Sequence, residues 1–203
     1  MTAISHHAPD ALLAAYAAGS LPNPYALIVA THVSMCLECR AALSAHHAVG
    51  GAVLDTSTTT ELSESLKAKT LALLDAPIVD APRPTRSGIY PAPVMAALHG
   101  KPPRWKSLGL GVRQCILSNE TAGSARLLYI PSGRAVPDHS HSGLELTLVL
   151  QGSFSDSTGR FGIGDLKVSD QSLEHTPVAD EGLPCICIAA TDAPLRFNAR
   201  IGI

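Results

Sequence analysis

Aromatic side chains are scarce, 4% of 203 residues, and charge is thin at 16%. With 15 Lys+Arg against 17 Asp+Glu the formal net charge is −2, so there is no basic surplus to neutralise phosphates, which argues against direct binding to nucleic acid. Long apolar runs are missing too. No window reaches the ~18 consecutive apolar residues of a membrane-spanning helix, and the start of the chain has neither the basic residues nor the apolar stretch of a secretory signal. A cytoplasmic protein with no membrane segment is expected. In that compartment the five cysteines are not expected to form a disulfide framework and read instead as metal ligands, redox thiols or core residues. Histidine is the residue in excess, with nine copies.

The chain divides by composition. Residues 10–76 are rich in Ala and Leu with few β-branched runs, which reads as helical. Asp10 is expected to cap a first helix that ends at Gly19, and Asn23 before Pro24 to open a second carrying Leu27, Ile28 and His32. A third begins near Cys36 and should stop at Gly50-Gly51. Leu62, Leu66 and Leu73 suggest a fourth. Seven prolines from Pro77 to Pro103 remove donors too often for regular structure and mark a linker or a wrapping segment. Beyond Trp105 short apolar runs (127–130, 146–150, 185–188) alternate with Gly-containing turns, as in a β-barrel or sandwich. The expected fold class is multidomain α plus β: a helical bundle over 1–76, a Pro-rich linker over 77–103 and a β-barrel over 104–203.

Within the helical part His32, Cys36 and Cys39 have the spacing H-x3-C-x2-C. Residues three apart in one helical turn face the same way, and soft thiolates with imidazole favour tetrahedral zinc. The His6-His7 pair is the source of a fourth donor. The bland alternative makes both cysteines small core residues and His32 a solvated one. His46 and His47 read as surface residues. This stretch resembles the zinc-binding anti-sigma fold, in which a helical domain masks a group IV (extracytoplasmic-function) sigma factor. The likeness extends to His6-His7, Asp10-Ala11-Leu12-Leu13 and Ala15-Tyr16-Ala17-Ala18-Gly19, and within it the upstream ligand corresponds best to His7. Leu12, Leu13, Ile28, Leu66 and Leu73 are candidates for a partner surface, with core packing as the alternative for each.

From Gly133 to Gly152 the chain reads G-x5-H-x-H-x3-E-x6-G, through His139, His141 and Glu145. Residues i and i+2 of a strand share a face, so both histidines can project into a barrel with the carboxylate, and His175 follows after another turn as a third imidazole. This ligand set suits zinc or another divalent transition metal. The pattern resembles the first cupin motif at every fixed position. The second motif is weaker, with Gly164 and His175 in place but Asp170 and Ser172 where Pro and Gly are usual. The two halves in this order resemble ChrR-type anti-sigma factors.

Cys185 and Cys187 would share the core face of one strand, as packing residues or a redox pair; Cys115 reads as core. Glu174 is either an exposed loop charge or an outer partner of His175. The resemblance implies a regulator that sequesters a sigma factor in a 1:1 complex and releases it under oxidative stress such as singlet oxygen or organic hydroperoxide. The rival is a metal-dependent cupin enzyme, a dioxygenase or hydrolase with an N-terminal zinc assembly domain. Against it stands the aromatic poverty of the C-terminal half, where Trp105, Tyr129, Phe154, Phe161 and Phe197 are all there is to line a substrate pocket.

Overall fold

The computed structural model describes residues 3–74, 84–135, 139–140, 143–169, 177–192 and 196–197, with backbone alone at 139–140 and 196–197. Five helices come first: α1 (Asp10–Ala17), α2 (Asn23–Met35), α3 (Leu37–Asp55), α4 (Glu64–Leu74) and α5 (Ala92–Ala97). Several ends differ from the sequence expectation. Pro9 and Pro22, not Asp10 and Asn23, are the N-caps of α1 and α2; a proline there forfeits no helical hydrogen bond, and the Asn23 amide is free to donate to Glu120 at 2.9 Å. Gly19 ends α1 at φ 66°, as a C′ glycine should. Gly50-Gly51 does not stop α3, which runs one further turn to Asp55. The proline-dense stretch holds a short helix after all, because Pro91 and Pro93 of α5 sit at its N-cap and first turn. Val94 and Met95 of that helix are buried.

The strands are β1 (Lys106–Gly109), β2 (Val112–Glu120), β3 (Gly123–Ile130), β4 (His139–Ser140), β5 (Glu145–Gln151), β6 (Phe154–Asp156), β7 (Gly159–Phe161), β8 (Leu166–Ser169), β9 (Val178–Ala179), β10 (Cys185–Thr191) and β11 (Arg196–Phe197). They form an antiparallel six-stranded sheet in the order β1-β2-β3-β10-β5-β8, a three-stranded sheet β7-β6-β9, and the pair β4-β11. The helical N-terminal region and cupin-like β domain expected from the sequence are both present.

Strand alternation gives the large sheet two chemically different faces. Leu127, Ile188, Leu148 and Leu166 stand opposite one another across β3, β10, β5 and β8. This row joins Tyr25, Ile28 and Val29 of α2 in one buried cluster that also holds Leu13, Cys36, Cys39 and Val94. Helices and barrel therefore share a continuous core. Tyr25, Ile28, Val29 and His32 lie at i, i+3, i+4 and i+7, the stripe that a helix presents to a surface. On the opposite face Leu128, Cys187 and Val149 pack with Phe154, Phe161 and Cys185 in a second cluster. Among the described residues no single helix is long and apolar enough to cross a membrane.

Candidate metal centre and barrel interior

At Cys36 the backbone turns extended, φ −105° and ψ 115°, and α3 leaves α2 at a bend of 117°. The break puts the last turn of α2 against the first of α3. Arg40 secures it by donating from Nε and Nη2 to the carbonyls of Val33 and Ser34, each at 3.3 Å. Cys36 caps α3, its Sγ accepting from Cys39 N–H at 3.4 Å. His32 and both sulfurs consequently converge, and the segment before α1 carries His7 to the same point.

Four donor atoms meet there, one each from His7, His32, Cys36 and Cys39, all within 4.8 Å of one another. His7 Nδ1 lies 3.3 Å from Cys36 Sγ and 3.7 Å from Cys39 Sγ, and His32 Nε2 lies 3.2 Å from Cys39 Sγ. Donors around tetrahedral zinc, at about 2.0 Å for nitrogen and 2.3 Å for sulfur, stand roughly 3.3–3.8 Å apart, so this set fits. His6 does not take part. Its ring packs at a tilt against Phe161, 4.3 Å between centroids, with Nδ1 3.4 Å from Asp165 Oδ2.

The proton positions suit metal binding. The Gly164 carbonyl, 2.9 Å from His32 Nδ1, can only accept; Nδ1 therefore carries the hydrogen and Nε2 offers its lone pair to the cluster. Burial holds His32 below its usual pKa, which keeps it neutral. His7 Nε2 faces Glu38 Oε2 at 3.3 Å, the carboxylate–imidazole pairing typical of ligating histidines. Burial and the adjacent Cys36 thiol push Cys39 up to about 11. A divalent cation is the counter-charge that would make it a thiolate.

The inner face of the barrel grades from apolar to polar along its strands. Next to the Leu128–Cys187–Val149 row comes Arg126, Ala189, Thr147 and Lys167; beyond that come Ser124, Thr191, Glu145 and Ser169. Glu145 is buried and accepts from Thr147 Oγ1 at 3.1 Å. Arg126 donates to Gln114 Oε1 at 3.3 Å and Ser124 Oγ at 2.8 Å. Lys167, also buried, pairs with Asp156 and lies 5.5 Å from the Phe161 ring centre; burial lowers it to about 8, against the pull of the Glu145 charge. Of the expected barrel ligands, His139 is placed on β4 by its backbone, while His141 and His175, like Glu174, lie outside the described residues. Cys185 and Cys187 are buried on the inner face, and the hydrogen bond between them and burial raise the Cys187 thiol; Cys115 is buried among the helix-facing residues. These three are packing residues, as expected.

Sequence reading missed Lys167 and Asp165. A lysine between leucine and valine in a short strand was the available signal for the first. Nothing local marks the second, whose Ser5 and His6 partners are remote in sequence.

Comparison with known proteins identifies the family. Residues 95–193 match the family model described as the ChrR cupin-like domain. The chain is 54% identical over 200 residues to anti-sigma-E factor ChrR of Cereibacter sphaeroides, covering 97% of this chain and 93% of that protein. Among solved structures it is similar to the complex of Rhodobacter sphaeroides SigE with the anti-sigma ChrR: TM-score 0.82, 52% identity, 93% of this chain and 99% of the matched one.

Proposed function

Because the chain belongs to the ChrR family of anti-sigma factors, we propose that it binds an extracytoplasmic-function (group IV) sigma factor one to one, keeps it from RNA polymerase and releases it under oxidative stress such as singlet oxygen or organic hydroperoxide. As a member of a family of regulators it is not an enzyme. The observation that carries the binding role is an apolar surface at the helical end. Helix α4 buries none of its side chains, and Leu71, Leu73 and Leu74 stand open, as do Val49, Val53 and Leu54 on the last turns of α3. Of the five residues proposed for a partner, Leu66 and Leu73 are exposed, whereas Leu13 and Ile28 belong to the core and Leu12 packs against it. Each exposed leucine that a partner covers contributes about 1.5–3 kcal/mol before the cost of association. Repression is then competition for the surface that the sigma factor would otherwise give to polymerase.

In this reading His7, His32, Cys36 and Cys39 hold zinc, which ties the N-terminal segment, α2 and α3 together. A second ion, zinc or another divalent transition metal, is held in the barrel by His139, His141, Glu145 and His175; the motif spacing and the buried position of Glu145 in the polar row support it. That ion would supply a centre at which an oxidant or its product acts, shifting the balance between bound and released states. The protein works in the cytoplasm, apart from membranes, and reaches DNA only through its partner.

The test is co-expression with the cognate sigma factor. The full chain should co-purify with it in equal amounts and carry a zinc that disappears in the double variant Cys36→Ala, Cys39→Ala along with sigma binding. A double variant that kept both metal and partner would overturn the assignment. His141→Ala should retain basal repression and lose most of the response to oxidant.

A further inference from the structure

Two of the four donors in the N-terminal cluster owe their placement to the barrel. The chain turns at 162–165, where Asp165 N–H donates to Gly162 O at 3.0 Å. From this turn the Gly164 carbonyl fixes the His32 ring. Its neighbour Asp165 is buried and accepts from Ser5 N–H at 2.7 Å and His6 N–H at 2.9 Å through Oδ1, while Gly162 N–H holds Oδ2 at 2.8 Å. Leu166 N–H donates back to His6 O at 3.0 Å. The residue directly before ligand His7 is thereby gripped on both its amide and its carbonyl. At Gly164 φ is +89°, a conformation side chains rarely adopt, and a Cβ would stand 2.6 Å from Ile4 Cδ1, so that the Ile4 side chain would have to move. The other end of α2 is tied to the barrel as well, by Tyr25 Oη donating to the Leu144 carbonyl at 2.7 Å.

We propose that the 162–165 turn of the barrel is the outer sphere of the N-terminal metal centre, the Gly164 carbonyl positioning His32 and the Asp165 carboxylate positioning His7. Retention of zinc at the helical end then depends on the barrel, and a disturbance that shifts this turn loosens two of four ligands together. The inference rests on the reading of His7, His32, Cys36 and Cys39 as a zinc site. Loss of an outer partner of a ligand typically costs about 10–100-fold in metal affinity, and here one carboxylate holds both the Ser5 and the His6 amide.

Cobalt-loaded full-length protein provides the test. Thiolate-to-cobalt charge-transfer absorption reports only a centre with cysteine ligands, so ions bound by the barrel histidines do not contribute. The decay of this band in excess EDTA should be about tenfold faster in Asp165→Ala than in the parent. Asp165→Asn, whose amide oxygen still accepts from Ser5 and His6 but whose NH2 group faces the Gly162 N–H, should accelerate the decay less than Asp165→Ala and keep the parental spectrum. Ile4→Ala, at the edge of the fold, should move the rate in the same direction as Asp165→Ala and keeps the test open if that variant does not fold. Asp180→Asn, a barrel substitution that leaves the Asp165 contacts with Ser5 and His6 in place, should leave the rate unchanged. Parental decay rates in both Asp165→Ala and Ile4→Ala would overturn the proposal, as would equal acceleration in Asp180→Asn, which would mark the effect as loss of barrel stability. A parental protein with no such band, or a band surviving Cys36→Ala, Cys39→Ala, would instead overturn the metal reading and the proposal with it.

Discussion

Substituting Ile28 by alanine tests whether helices and barrel fold as one unit. Ile28 is fully buried on the stripe of α2 that meets the barrel, within the cluster containing Leu127, Leu148 and Ile188. Removing the side chain beyond Cβ forfeits about 0.8 kcal/mol for each of the lost carbons, close to 2.4 kcal/mol. The cavity left in a core held from two sides brings the cost to about 3–4 kcal/mol, inside the range for such truncations. At about 2–4 °C per kcal/mol for a chain of this length, Tm should fall by roughly 6–16 °C. Two probes then separate one unit from two. Far-UV circular dichroism follows the helices, while the only tryptophan, Trp105, precedes β1 and lies edge-on to Tyr129 of β3 at 6.1 Å, so its fluorescence follows the barrel. Both transitions should move together in urea and on heating. A tryptophan midpoint that stayed in place while the helical signal shifted would refute the argument that the shared core couples them.

Leu73→Asp on α4 changes a side chain 72% exposed; unfolding free energy should stay within about 0.5 kcal/mol of the parent, while affinity for the sigma factor, measured by calorimetry, falls at least about tenfold, the equivalent of about 1.4 kcal/mol. Asp180 accepts from Ser153 Oγ at 2.6 Å, Ser155 Oγ at 2.8 Å and Arg160 Nε at 2.8 Å. Burial works to raise its pKa, but these donors outweigh it and hold the carboxyl below the ordinary value. A depressed carboxylate adds stability above about pH 4 that is lost as pH falls through its folded pKa. Asp180→Asn should therefore cost about 1 kcal/mol at pH 7 once partial exposure is allowed for. The difference in Tm from the parent should shrink on acidification below pH 4, and a constant difference from pH 7 to pH 3 would contradict the assignment.

What could be read directly from the sequence was whatever depends on short spacing. H-x3-C-x2-C declares a site because one helix ends and the next begins between its members, so a few residues of backbone geometry suffice to bring His32, Cys36 and Cys39 together. The two regions, the Gly19 helix end and the inward pair Cys185 and Cys187 follow from periodicity in the same way. Helix ends were less secure: prolines that seemed to forbid a helix at 92–97 instead start it, and Gly50-Gly51 is carried through by the helix on either side.

Tertiary structure decided the rest. Adjacent histidines are indistinguishable by composition; the resemblance favours His7, and only the fold shows why, with the His7 ring turned to the sulfurs and the His6 ring to Phe161. The Gly164 carbonyl reaches His32 across 132 positions and Asp165 reaches Ser5 across 160; contacts that distant leave no period in the chain. Sequence alone determined that this protein has a helical half carrying a His/Cys cluster able to hold a metal, and a barrel half. Only the packing of α2 across the sheet brought Gly164 and Asp165 of the second half against His32 and the segment before His7, because burying one apolar helix face required the apolar face of the other half.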